Sequence, residues 1–217
     1  MFSWLLDLFF PPKCVLCRCL LAKEQTHFCP TCRQDAPTFP KSNFTISFVA
    51  GWTGVWYYKD MVRKSLIRYK FSGQRNYVRA YGPTLAVKLR QEQMDNFDVL
   101  TFVPIAPLRW LVRGYDQVEI LAEAVGAEMG IPAVRTLRKI RNTPPQSRLR
   151  DVYRRRANVL GAYRVTDPEL VRGKRVLLLD DIITTGATAS ECARTLLSAG
   201  AKEVICAAMA VAYHDRK

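Results

Sequence analysis

VLLLDDIITTGAT, residues 176–188, carries an apolar run into two adjacent carboxylates, then into Thr, Thr, Gly, a small residue and a third Thr. Val176 to Leu179 show no polar alternation, the pattern of a central parallel strand covered on both faces. In open sheets of that kind the binding crevice lies beyond the carboxyl ends of the strands. A strand over 174–180 therefore delivers Asp180 and Asp181 to the crevice lip. Two neighbouring carboxylates repel unless something bonds or neutralises them. As acceptors they suit vicinal sugar hydroxyls, with a divalent cation close by. Thr184, Thr185, Gly186, Ala187 and Thr188 then stand where a helix over about 187–199 begins. First-turn N–H groups, threonine hydroxyls and a glycine backbone make a cradle for phosphate. A ribose 5-phosphate satisfies both halves of the stretch, whereas a plain helix cap needs only one such residue.

Working outward, residues 46–58 (ISFVAGWTGVWYY) read as one or two strands and 97–107 (FDVLTFVPIAP) as a short buried strand closed by prolines. ANVLGAYRV at 157–165 and EVICAAMAV at 203–211 read as further strands. Helices are predicted over 61–73, which carries a basic face, over 76–94 and over about 116–129. Strands alternating with helices specify an α/β fold with a parallel sheet flanked by helices. Between them, RTLRKIRNTPPQSRLRDVYRRR (135–156) holds nine Lys or Arg among 22 residues, with Asp151 as its single acid. Its Pro-Pro pair rules out a continuous helix, so it reads as a strongly cationic loop.

The front of the chain has its own chemistry. Cys14 and Cys17 form one C-x-x-C pair, and Cys29 and Cys32 a second, after eleven intervening residues. Four thiolates suit tetrahedral Zn²⁺ in a structural role, because no open coordination position remains. Cys19 and His27 lie within reach as substitutes. So small a segment needs such a staple to fold. Pro37 and Pro40 mark a linker, which gives a zinc-ribbon module at 1–40 and a larger domain at 41–217. Trp4, Leu5, Leu8 and Phe9 fall at helical spacing ahead of Pro11 and Pro12. That stretch is too short to span a bilayer and makes a poor signal peptide. Cysteines arranged for metal rather than as a disulfide framework, with no membrane span, place the protein in the cytoplasm.

The 217 residues are 49% hydrophobic, enough for a sizeable core and against global disorder. The net charge is +14 with a pI near 9.7, clustered rather than spread, so phosphate-rich partners are expected.

VLLLDDIITTGAT resembles the phosphoribosyl pyrophosphate (PRPP) motif of type I phosphoribosyltransferases. More of the chain is similar to one branch, the ComF (competence protein F) family. VPIAPLRWLVRGYDQVEILAE (103–123), RYKFSG (68–73), NTPPQSRLRDVYRRRANVLGAYRV (142–165) and the double C-x-x-C all resemble that family's blocks. Asp116 stands where the family more often has Asn. The resemblance implies a type I phosphoribosyltransferase-like sheet with a small N-terminal zinc ribbon. It implies that Asp180 and Asp181 hold ribose hydroxyls, that Thr184 to Thr188 hold the 5′-phosphate, and that Mg²⁺ accompanies PRPP. Pro104 to Pro107 match a pyrophosphate-contacting loop, with Arg109 and Arg113 as diphosphate partners.

The family is associated with DNA uptake in natural transformation. One reading is therefore a binding module that handles single-stranded DNA, helped by Tyr69, Phe71, Tyr77 and Tyr153 as stacking platforms. A helicase or DNA-uptake partner is implied through the family alone. The other reading is an active phosphoribosyltransferase with an unknown acceptor. An amidotransferase-like enzyme is disfavoured, since no Cys follows Met1 and no glutaminase domain fits this length.

Overall fold

The computed structural model describes residues 11–40, 44–142 and 157–212. A four-stranded parallel sheet forms the centre: β1 (Gly51–Tyr57), β2 (Val99–Phe102), β5 (Arg175–Ile183) and β6 (Glu203–Val211), in the order β1-β6-β5-β2. β5 and β6 are the central pair. Their apolar runs, VLLL and VICAAMAV, are buried on both faces as the lack of alternation requires. Each outer edge is covered. Thr38 bridges to Trp56 outside β1, and Ala133 bridges in parallel to Leu100 outside β2. Segment 37–39, expected as a linker, thus lies along the sheet, with Phe39 N–H bonded to the Val55 carbonyl.

One face is packed by α2 (Asp60–Phe71), α3 (Val78–Gln91) and α5 (Gln117–Met129). Leu66, Tyr69, Tyr81, Leu85, Leu121 and Leu177 are fully buried there. α3 and α5 approach closely because Gly82 has no side chain: a Cβ at that position would lie 2.6 Å from the Ala124 Cβ. The cysteine segment joins this same core through Cys14, Val15, Leu16, Cys29 and Cys32, the last in the short helix α1 (Pro30–Asp35). α2 is the strut between them. Ser65 Oγ donates to the Val15 carbonyl (2.6 Å), and Arg68 donates to the carbonyls of Val15 (3.0 Å) and Leu16 (2.7 Å).

The opposite face is packed by α6 (Ala187–Ser198) and a small antiparallel pair, β3 (Leu137–Lys139) with β4 (Tyr163–Val165). Cys192, Leu196, Leu137, Val176 and Leu178 are buried in this second core.

Three local expectations change. β5 continues to Ile183 rather than ending at 180, because β6 partners it through Ile183↔Val211, while β2 stops at Phe102↔Leu179. The strand read over 157–165 shrinks to Tyr163–Val165, since 157–159 are helical and Gly161, at φ +65°, turns the chain. Leu137–Lys139, read as part of the cationic loop, form β3; beyond the proline-closed strand, residues 107–113 form the short helix α4 (Pro107–Arg113), opened by proline at its first position and closed by left-handed Gly114. Trp4 to Phe9, Tyr153 and the cationic run from 143 to 156 lie outside the described residues. No helix among the described residues is long and apolar enough to cross a membrane.

Candidate functional site

β2 ends at Phe102 while β5 runs on, so one side of residues 180–183 has no strand beside it. The resulting notch at the carboxyl end of the sheet holds the acidic pair. Side chains alternate along a strand, and here that alternation separates the two carboxylates. Asp180 faces the α6 side and Asp181 the α2/α5 side.

Asp180 lines a small hollow with Ile182, Ile183, Thr184, Gly186, Ala187, Thr188 and Ala189. Gly186 is the N-cap of α6 at φ +73°, a left-handed conformation that a side chain disfavours. A Cβ there would also lie 2.9 Å from Ile46. Thr185 Oγ1 is buried with no hydrogen-bond partner among the described residues. An unsatisfied buried hydroxyl at a helix start costs stability unless a ligand completes it. The enclosed space is only about 10 Å³, so the hollow is a shallow cradle, not a closed cavity. Burial holds the Asp180 carboxyl well above the usual range; the neighbouring Asp181 charge adds to this and Lys70 opposes it. A carboxyl so placed gains from any cation or hydroxyl donor that stabilises its charge.

Asp181 is nearly buried and already partnered. Its Oδ2 receives Lys70 Nζ at 2.9 Å and Gln117 Nε2 at 2.8 Å. Gln117 Oε1 in turn accepts from Arg113 Nη1 at 2.8 Å, and the Arg113 guanidinium lies 4.5 Å over the Phe71 ring. Arg113 thus belongs to the Asp181 side of the strand. Arg109, from the same helix, acts electrostatically on Lys139 and Tyr163, which also feel Asp180. The residues singled out from the sequence therefore form two groups about one strand, Asp180 with Thr184 to Thr188 and Asp181 with Arg113, while Arg109 acts electrostatically on residues of both sides.

The sequence pointed to no role for Lys70, Gln117 or Lys139. Lys70 lies inside RYKFSG and Gln117 inside RGYDQ, so the signal was present without a partner to give it meaning. Lys139 is pushed down to about 8, first by burial and then by Arg109, against the opposing pull of Cys192 and Asp180. Asp116 caps α5: Oδ1 accepts from the N–H of Val118 (2.9 Å) and Glu119 (3.3 Å), and Oδ2 from Ile105 N–H (3.0 Å). One side chain thereby ties the Pro104–Pro107 loop to the start of α5. Among the aromatic residues, Tyr69 and Tyr77 are core residues, at 0% and 6% exposure, and offer no stacking face. Both sit on the buried side of their segments, where apolar packing outweighs access. Phe71 is exposed.

The cysteine cluster lies on the far side of α2. The Sγ atoms of Cys14, Cys17, Cys19 and Cys29 lie within 4.8 Å of one another and are able to hold a metal ion. Cys17 and Cys29 are 3.7 Å apart, close to the edge of a tetrahedron with metal–sulfur bonds of about 2.3 Å. Cys29 Sγ also accepts the Cys32 N–H at 3.4 Å. Cys32, the fourth ligand expected from the sequence, lies outside that group, although its thiol interacts with those of Cys14, Cys17 and Cys29. Cys17 is drawn down to about 6: burial pushes it up, and hydrogen bonds from Cys19, Cys32 and Cys14 outweigh that. His27 takes a left-handed turn, and its carbonyl accepts the Val15 N–H.

Residues 111–217 match the family described as phosphoribosyl transferase domain. Competence protein ComFC of Streptococcus pneumoniae is 31% identical over 187 residues, covering 81% of this chain and 77% of that protein. ComFC of Bacillus subtilis is 26% identical, covering 86% and 78%, and competence protein F of Haemophilus influenzae is 24% identical, covering 90% and 95%. Among solved structures, the allosteric regulatory enzyme of purine biosynthesis aligns with 64% of this chain at TM-score 0.44 and 25% identity. The chain covers 29% of that protein. The parallel sheet flanked by helices, the cysteine cluster ahead of it, the domain match and relatives that span most of the sequence show that the chain belongs to the ComF family.

Proposed function

We propose that the chain binds a phosphoribosyl group, as PRPP or a ribose 5-phosphate, together with Mg²⁺. The observation that carries this is the cradle at the start of α6. There the carboxyl of Asp180 and the left-handed Gly186 line one hollow at the end of a central strand, and the unsatisfied Thr185 hydroxyl belongs to the same turn. A phosphate takes the N–H groups of the helix start and the Thr184, Thr185 and Thr188 hydroxyls, over Gly186 and Ala187. The sugar hydroxyls fall to Asp180, with Asp181 held behind it by Lys70 and Gln117. Mg²⁺, when bound, supplies positive charge to the diphosphate and the carboxylate. Arg109 offers charge to the diphosphate, and Arg113 steadies Gln117. Zn²⁺ is the metal that best suits the cysteine cluster: Cys14, Cys17 and Cys29, with Cys32 or Cys19 closing the tetrahedron. Its role there is structural.

The relatives named as competence proteins support a role in competence; on this reading single-stranded DNA and a partner of the uptake machinery are the macromolecular ligands. The charge of +14 favours such a polyanion. Calorimetric titration of PRPP with Mg²⁺ tests the site. Wild-type protein is expected to bind, and Asp180→Asn to lose most of that affinity. Equal binding by both proteins refutes the cradle. Release of pyrophosphate from labelled PRPP with a defined acceptor distinguishes a working transferase from a binding module.

A further inference from the structure

Three successive residues in the last turn of α2 hold three different parts of the molecule. Arg68 donates to the carbonyls of Val15 (3.0 Å) and Leu16 (2.7 Å), the two residues between Cys14 and Cys17. Ser65, one turn earlier, donates to the same Val15 carbonyl at 2.6 Å. Tyr69 donates its hydroxyl to the Gln117 carbonyl at 2.7 Å, and its own carbonyl accepts the Tyr115 hydroxyl. Lys70 pairs with Asp181 at 2.9 Å, on the same carboxylate oxygen that Gln117 Nε2 reaches at 2.8 Å. The turn therefore spans from the first C-x-x-C loop to the acidic end of β5. Beyond it the chain leaves the core: Phe71 is 64% exposed and Gly73 turns at φ +65°. A helix end so placed frays unless side chains tether it. Arg68 is half-buried and has no carboxylate partner among the described residues. Its guanidinium relies on the two loop carbonyls and on the Tyr77 hydroxyl at 3.2 Å. Those carbonyls stay in place while the loop keeps its shape, and in so small a segment a metal held by the cysteines is what keeps it.

We propose that metal occupancy at the cysteine cluster sets the affinity of the Asp180 cradle for its phosphoribosyl ligand, through Arg68 and Lys70. This control rests on the phosphoribosyl reading and adds a regulator to it. With the loop ordered, Arg68 and Tyr69 fix the turn, and Lys70 stays on Asp181. With the loop released, the guanidinium loses two acceptors, the turn loosens and Asp181 keeps only Gln117. Lys70 also opposes the upward push on the Asp180 carboxyl, so its withdrawal leaves Asp180 holding its proton against the ligand. A staple for the cysteine segment alone needs no contact that ends on the acidic strand. Coupling between two sites is reciprocal: the factor that the metal adds to ligand affinity, the ligand adds to metal affinity.

Calorimetry and metal transfer on the full chain test it. PRPP with excess Mg²⁺ is titrated into zinc-loaded protein. Zinc affinity is then measured, with and without PRPP, by competition with a zinc-selective chromogenic chelator, and circular dichroism verifies folding. In wild type, PRPP should raise zinc affinity about tenfold, within the usual range for coupled sites. Asp180→Asn, which loses the ligand, should abolish that gain and so exclude direct chelation by PRPP. Arg68→Met keeps every cysteine and an unbranched apolar side chain. It should still take up zinc, but bind PRPP about tenfold more weakly and show no gain in zinc affinity. Lys70→Met should break the link at its other end, and Lys70→Arg should restore it. Two results overturn the proposal: PRPP binds wild type without changing zinc affinity, or both Met variants keep the full gain, which would trace it to overall stability. If PRPP does not bind zinc-loaded wild type, the phosphoribosyl reading falls and takes the coupling with it. Binding without a reciprocal gain removes the coupling alone.

Discussion

At the residue scale, Asp180 and Asp181 differ although they are adjacent, because a strand sends neighbours to opposite faces. Asp181 is a structural anion bound by Lys70. Lys70→Met should leave it with Gln117 alone and destabilise the fold by roughly 1–3 kcal/mol, between the exposed and buried limits for an ion pair. Lys70→Arg should recover most of that loss in urea unfolding, and no loss in the Met variant would contradict the pairing. Asp180 behaves in the opposite way. Its folded pKa is raised above the unfolded value of about 3.9, so the folded state holds more protons and stability falls as pH climbs above that value. A ligand that stabilises the carboxylate must displace that proton. Binding of PRPP or ribose 5-phosphate with Mg²⁺ should therefore strengthen as pH rises from the mildly acidic range and release a proton. Binding enthalpies measured in two buffers of different ionisation enthalpy should differ; identical values would show that Asp180 does not change its charge. Asp116→Asn places an amide donor against Ile105 N–H or against the α5 N–H groups. It should cost about 1–2 kcal/mol through the lost backbone bond.

At the scale of elements, α2 connects two sites. Ser65 and Arg68 hold the cysteine segment by its carbonyls, and Lys70, in the same last turn as Arg68, holds Asp181. Cys14 and Leu16 share one core with Leu66 and Tyr69, so a metal held by the cysteines would stabilise the same cooperative unit as the sheet packing. Purified protein should carry near-stoichiometric zinc. Removing it with a chelator should move a single calorimetric transition to lower temperature. Two separate transitions, with the sheet transition unmoved, would show that the cysteine segment folds independently. Cys19→Ser and Cys32→Ser, each assayed for retained metal, identify which sulfur completes the site. The four-position site keeps full occupancy in one of them.

At the scale of the whole molecule, the charge of +14 acts on any polyanion whatever its sequence. Affinity for single-stranded DNA should fall steeply with salt. The logarithmic slope is about −0.7 for each phosphate contact made. Replacing Arg154, Arg155 and Arg156 with Ala should flatten that slope by up to about 2. An unchanged slope would remove residues 135–156 from the DNA surface. These arginines lie in the run from 143 to 156, so this prediction rests on charge density alone.

What the sequence determined by itself was local and periodic. Unalternated apolar runs are diagnostic of doubly covered strands, and 203–211 and the helix from 187 appear where the pattern put them. The C-x-x-C pairs and the acidic pair before TTGAT were equally plain, since their chemistry lies in residues a few positions apart. What tertiary structure decided was pairing across long separations. β6 extends β5 past its acids, and β3 finds β4 across the 143–156 run. Lys70, which precedes Asp181 by more than a hundred residues, meets it only because α2 packs against that face of the sheet. Short-range spacing fixes which groups a segment carries. Which of them meet depends on packing that no single segment encodes.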